Sequence, residues 1–126
     1  MTRFVRIDPT AKTVTAVEAE EAIDAAQTLK SGEIDFGTVA PGISIIVWEY
    51  GLLEGDGPYF VLDQQLYAGE AILYGYDEAG ETVDMPTLAD PPLWLADKTE
   101  VELAILAGLV ERPESRVNGA LIWRWS

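Results

Sequence analysis

In residues 3–8 (Arg-Phe-Val-Arg-Ile-Asp), Phe4 stands between Arg3 and Arg6 and Ile7 lies near the end, an alternation that predicts an opening strand. Asp8-Pro9-Thr10-Ala11-Lys12 has turn chemistry, and the β-branched run 13–17 predicts the return strand of a hairpin. Over residues 18–30 the period changes. Ala19, Ala22, Ile23, Ala26 and Leu29 fall at helical spacing, and Gly32 follows as a stop. Glu18, Glu20, Glu21 and Asp24 crowd the first two turns of that predicted helix, where the macrodipole favours negative charge. That gives these acids a structural reason to be there.

Residues 33–39 predict a short strand, and Pro41-Gly42 breaks the chain. Residues 43–50 (Ile-Ser-Ile-Ile-Val-Trp-Glu-Tyr) are the clearest strand, apolar enough for the middle of a sheet. After a glycine-rich loop at 51–58, strands are predicted at 59–63 and 66–76, with Gly69 and Gly75 marking bulges or close backbone approach. Asp77-Glu78-Ala79-Gly80 is a hairpin turn with glycine in the left-handed position, and a strand at 81–85 follows it. Residues 86–92 read as an irregular connection, with Trp94 a plug where it meets the second helix. That helix is predicted over 99–111, capped by Asp97 or Thr99 and ended by Pro113. Only Glu100 and Glu102 interrupt its apolar character, which predicts burial on most sides. Asn118-Gly119 opens a last strand at 120–125, with Leu121, Trp123 and Trp125 on one face and Ile122 and Arg124 on the other. Runs of consecutive strands predict an α+β fold over residues 1–126: one domain, a mainly antiparallel sheet of five or more strands, and two helices packed on one face.

Charge changes the picture. The 126 residues carry 22 acids against 8 bases, a formal net charge of −14. No Lys or Arg occurs from Ser31 to Asp97, a stretch holding 13 of the acids. An ordinary surface mixes the two signs. This segment has no internal cation to pair with, so its field projects outward unless the flanking segments fold back onto it. Such a field repels nucleic-acid backbones and anionic membranes and attracts basic protein surfaces. No apolar run approaches the ~18 residues of a membrane span. Met1-Thr2-Arg3-Phe4 lacks the basic, apolar and small-residue layout of a signal peptide, and there is no cysteine, so a cytoplasmic protein is expected.

The sequence also lacks the side chains of most catalytic centres. Without histidine or cysteine there is no neutral-pH proton shuttle, no thiol nucleophile and no zinc site of the usual kind. Four serines (Ser31, Ser44, Ser115, Ser126) have no imidazole to activate them. Neither Gly-x-x-x-x-Gly-Lys-Ser/Thr nor Gly-x-Gly-x-x-Gly occurs. The acid runs Glu54-Gly-Asp56 and Asp77, Glu78, Glu81, Asp84 lack the Asp-x-Asp-x-Asp-Gly spacing of a calcium loop. The expectation is a protein that is not an enzyme, with no cofactor and no metal site. A carboxylate metal site supporting hydrolysis ranks third among its readings.

In composition the chain resembles the small acidic proteins that phages and plasmids use against restriction or CRISPR systems, some of which imitate the charge of a nucleic acid. The likeness covers no motif and carries over no residue. It implies a non-catalytic binding protein that engages a basic surface of another protein, such as its nucleic-acid-binding face, with no direct contact to nucleic acid or membrane. The candidate contact residues are Glu54, Asp56, Asp63, Glu70, Asp77, Glu78, Glu81 and Asp84. The alternative is an accessory or structural domain that forms a homo-oligomer through Trp123 and Trp125 of its last predicted strand.

Overall fold

The opening hairpin pairs β1 (Thr2–Asp8) with β2 (Thr13–Ala19) in an unbroken antiparallel register, Thr2 opposite Ala19 and Asp8 opposite Thr13. Its turn is held by Asp8, whose Oδ1 accepts from the N–H groups of Thr10 at 3.0 Å and Ala11 at 3.2 Å. The structure is a computed structural model and describes residues 1–27, 34–48, 58–86, 88 and 90–111. The predicted last strand and most of the loop at 51–58 lie outside that set.

The first helix corrects the sequence reading. Strand β2 runs two residues past its predicted end, and α1 spans only Ala22–Ala26 among the described residues. Thr13, Val14, Thr15 and Val17 favour the pleated conformation, and a waiting partner strand carries the ladder through Glu18 and Ala19. Tertiary pairing thus overrides the helical spacing of Ala19.

The other strands are β3 (Ile34–Ala40), β4 (Ile43–Trp48), β5 (Tyr59–Leu62), β6 (Gln65–Ala68), β7 (Ala71–Tyr76), β8 (Thr82–Val83) and β9 (Leu93–Leu95). They build two antiparallel sheets. The large one has the order β2-β1-β7-β4-β3, with β8 also paired to β7, and the small one has the order β6-β5-β9. β9 was not predicted, since three residues are too few to show a period.

Alternation in the strands sorts side chains between layers. Val5, Ile7, Ile45, Ala71 and Leu73 leave one face of the large sheet and meet Phe60 of the small sheet, with Leu62, Tyr67 and Trp94 packed around them. Phe4, Ile46 and Ile72 leave the opposite face and pack under Ala25 and Ala26 of α1. Tyr59, Val61, Leu66 and Leu95 leave the far side of the small sheet and meet α2 (Lys98–Leu106) through Val101 and Ala104. The expected α+β fold is therefore present, with its helices divided between the sheets: α1 covers the large one and α2 the small one.

Helix α2 starts where predicted. Asp97 caps it, accepting from the Glu100 N–H at 3.0 Å, and Glu100 reaches back to the Ala96 N–H at 2.6 Å. It stops earlier than Pro113. Gly108 adopts φ +76°, Leu109 N–H bonds to Ala104 O at 2.9 Å, and Gly108 N–H bonds to Ile105 O at 3.0 Å. These are the two bonds of a Schellman stop. Nor is the helix buried on most sides: Leu103 is 62% exposed and Leu106 80%.

Gly75 shows why the centre of the large sheet is built as it is. A Cβ there would lie 3.2 Å from Val83 Cγ2 and 3.3 Å from Val83 O. β8 is held to β7 by the ladder at this point, so the Val83 carbonyl has little room to move. Gly75→Ala should cost about 1–2 kcal/mol from overpacking, read as a lowered denaturant midpoint with unchanged slope.

Tyr67 stacks on Phe60 with ring centroids 5.3 Å apart and donates to Gln65 Oε1 at 2.9 Å. Burial, and secondarily the negative charge of Asp63, raise its pKa above the ordinary 10.0. The folded state thus holds this proton to higher pH than the unfolded chain does. Stability should be flat below about pH 10 and fall as pH rises through the folded pKa. Tyr67→Phe should flatten that alkaline decline in melting temperature, and an unchanged decline would contradict the assignment.

Candidate functional site: the acidic end of the large sheet

The register of the large sheet gathers acids that lie far apart in sequence. β7 is antiparallel to both β1 and β4, so its C-terminal end meets the start of β1, the end of β2 and the turn at Pro41-Gly42. Arg3 is opposite Glu18, and Glu20 and Glu21 follow immediately. At the same end the chain turns through Asp77–Gly80 and returns as β8, with Tyr76 opposite Thr82 and Gly75 opposite Val83. The return strand wedges beside the start of β1. Met85 N–H donates to Arg3 O at 2.8 Å, Arg3 N–H to Asp84 Oδ1 at 2.8 Å, and Arg3 Nε to Met85 O at 2.9 Å.

This places Glu18, Glu20, Glu21, Asp77, Glu78, Glu81 and Asp84 around one end of the sheet, all exposed. Arg3 is the Lys or Arg that the register puts among them. Glu18 and Glu20 precede α1 and lie outside its first turn, so the macrodipole does not account for them. Glu21 is at the N-cap position but makes no side-chain capping bond. The sequence reading missed these three as contact candidates. The β-branched run that opens at Thr13, facing a first strand of seven residues, is the signal that would have found them.

The acids divide by side-chain length. Asp77 Oδ1 accepts from Ala79 N–H at 3.0 Å and Glu81 N–H at 2.9 Å, holding the turn in which Gly80 takes φ +81°. Asp84 ties the hairpin to β1. These short carboxylates reach nearby backbone, as aspartates in turns do. Glu18, Glu20, Glu21, Glu78 and Glu81 make no side-chain hydrogen bond or ion pair among the described residues, and their longer stems carry charge into solvent.

The other predicted contact residues lie elsewhere. Glu70 is committed to Arg6, Oε2 to Nη2 at 2.7 Å, and its side chain is only 12% exposed. Here a cation from the first strand does fold back onto the base-free stretch and neutralises one of its acids. Asp63 is exposed in the β5–β6 turn at φ +49°, on the small sheet. Glu54, Asp56, Trp123 and Trp125 lie outside the described residues. Among the described residues no three carboxylates converge where a cation could be held, and no helix is long and apolar enough to cross a membrane.

Comparison with protein-family models, with curated proteins and with solved structures found no match to this chain.

The division between aspartate and glutamate is directly measurable. Asp77→Ala should lower stability by about 1 kcal/mol through loss of two turn hydrogen bonds, whereas Glu78→Ala should stay within roughly 0.5 kcal/mol of the parent. Denaturant titration of the two variants side by side checks this. Equal losses would remove the distinction.

Proposed function

We propose that the chain is a non-catalytic binding protein whose acidic end engages a basic surface on another protein, imitating the charge of a nucleic acid that would otherwise occupy it. One observation carries this reading. Two acidic segments some sixty residues apart in sequence are brought together at one end of a rigid sheet, with Arg3 as the cation the register places beside them. Holding like charges together opposes folding, and the side chains of the five glutamates there make no hydrogen bond or ion pair among the described residues. Such an arrangement suits a partner that supplies the opposite charge, and it steers that partner's approach over a distance that salt shortens. Glu18, Glu20, Glu21, Glu78 and Glu81 would make the contacts, with Asp77 and Asp84 holding the frame. The absence of histidine and cysteine from the sequence fits a role without covalent chemistry.

Glu18→Lys, Glu20→Lys, Glu78→Lys and Glu81→Lys combined should keep the fold, because exposed charges contribute little to stability. Immobilised parent protein should retain basic proteins from a bacterial lysate, releasing them on washing with moderate salt or with duplex DNA, and the fourfold variant should retain none of these. A parent and a variant that capture the same proteins, or a capture indifferent to DNA, would overturn the proposal.

A further inference from the structure

Strand β2 is an outer strand of the large sheet, pairing with β1 alone among the described residues. The direction of its outer peptide groups follows from Arg3. That residue turns both its N–H and its carbonyl away from β2, the first to Asp84 Oδ1 and the second to the Met85 N–H. Such directions alternate along an unbroken antiparallel ladder, so Phe4 and Arg6 bond to Val17 and Thr15 opposite them. Val14, Ala16 and Glu18 therefore point their N–H and C=O groups outward, where one more strand can pair. The other edges among the described residues are blunted. β3 has a register shift between Thr38 and Ala40, and β6, β8 and β9 hold only four, two and three residues. β2 runs seven residues without proline or bulge, and it carries no charged side chain from Thr13 to Val17.

We propose that this edge pairs with β2 of a second copy of the chain, antiparallel about a two-fold axis at Thr15. Two observations select that occupant. The first is the direction of the peptide groups. Centring on Thr15 sets Val14 of each copy opposite Ala16 of the other, and each such pair exchanges both its N–H···O bonds. Thr15 then meets Thr15 of the second copy as a non-hydrogen-bonded pair, the closer of the two kinds. The second is charge, in which the strand is complementary to itself. The same register places Lys12, at the head of the strand, beside Glu18 of the second copy, and symmetry makes the contact twice. A slip of the axis to Ala16 would set Val14 against Glu18 of the second copy and forfeit that match. Each copy carries a formal charge of −14. Antiparallel pairing nevertheless sets the two acidic ends on opposite sides of the axis, each next to the other copy's Lys12 turn. The dimer takes Glu18 and leaves Glu20, Glu21, Glu78 and Glu81 to the acidic end, so the inference goes beyond the proposed function and does not depend on it.

The chain contains no cysteine, so a single introduced thiol can link only to its counterpart in another copy. Thr13 and Thr15 are both exposed and lie on the same face of the strand. In the full-length protein and a glutathione redox buffer, Thr15→Cys should form disulfide-linked dimers roughly tenfold faster than Thr13→Cys. The reason is distance: facing Cα atoms at Thr15 would be about 4.5 Å apart, within bridging range, whereas the two Thr13 positions would lie about 14 Å apart along the strands. Added to Thr15→Cys, Lys12→Glu and Glu18→Lys should each slow linkage about fivefold, and the two together should restore it. A response to net charge alone would instead move the two single reversals in opposite directions. Thermal melting verifies that each variant folds. Should Thr15→Cys fail to fold, sedimentation of the cysteine-free chain decides: the parent and the double reversal should associate as dimers, and each single reversal should shift toward monomer. Equal linkage at positions 13 and 15 would overturn the proposal, as would a monomeric parent, opposite responses to the single reversals, or a double reversal that recovers nothing.

Discussion

Everything else in the large sheet hangs on β7 being buried on both faces. Ala71, Ile72 and Leu73 are wholly inaccessible, and their alternate side chains serve two different cores. Such a strand tolerates no charge at its centre and needs a hydrogen-bonded neighbour on each side, because no water reaches its peptide groups. β1 and β4 fill those places, and β8 extends the pairing where β1 no longer follows β7. The rest is a set of consequences. Phe60 and its neighbours cover one face, α1 begins the cover of the other, and charged residues are driven out to the ends of the strands.

Expulsion of charge to the strand ends would by itself distribute acids over both ends. The two ends differ here because of the cations. Arg6 pairs with Glu70 near the start of β7, and Lys12 lies in the turn after β1. The opposite end receives the hairpin and the close of β2, where Arg3 is the cation that the register places among the described residues, and that side chain already donates to the Met85 carbonyl. The asymmetry of the field therefore comes from topology acting on a sequence whose bases lie mostly near its termini.

Much of this was legible in the amino-acid order. The apolar run at 43–50, the strand at 59–63, the Asp77–Gly80 turn and the Asp97 cap all depend on neighbours within four or five residues, which is the range over which sequence patterns speak. Three features escaped. The extension of β2 required knowing that β1 would offer it a ladder of the same length. β9 exists because β5 has an edge to fill, and Leu93–Leu95 carries no period of its own. The exposed leucines of α2 could not be foreseen from an apolar helix, since the three-stranded sheet beneath it covers only the stripe of Val101 and Ala104. In the candidate site, the hairpin acids were found because they are contiguous, while Glu18, Glu20 and Glu21 were hidden by a helical pattern that local propensity supported and pairing displaced.

The split between aspartates whose side chains bind backbone and glutamates whose side chains bind none of the described residues bears on how such a protein can change over generations. Asp77 and Asp84 are fixed by the turn and by the first strand. The side chains of the glutamates beside them make no hydrogen bond or ion pair among the described residues, so substitution there alters the pattern of charge and leaves the sheet intact. Under the proposed binding role, a lineage could therefore follow a drifting target surface by exchanging these positions one at a time, each intermediate still folded. Conservation of fold and turnover of specificity would then be written in two different residue types within a single hairpin.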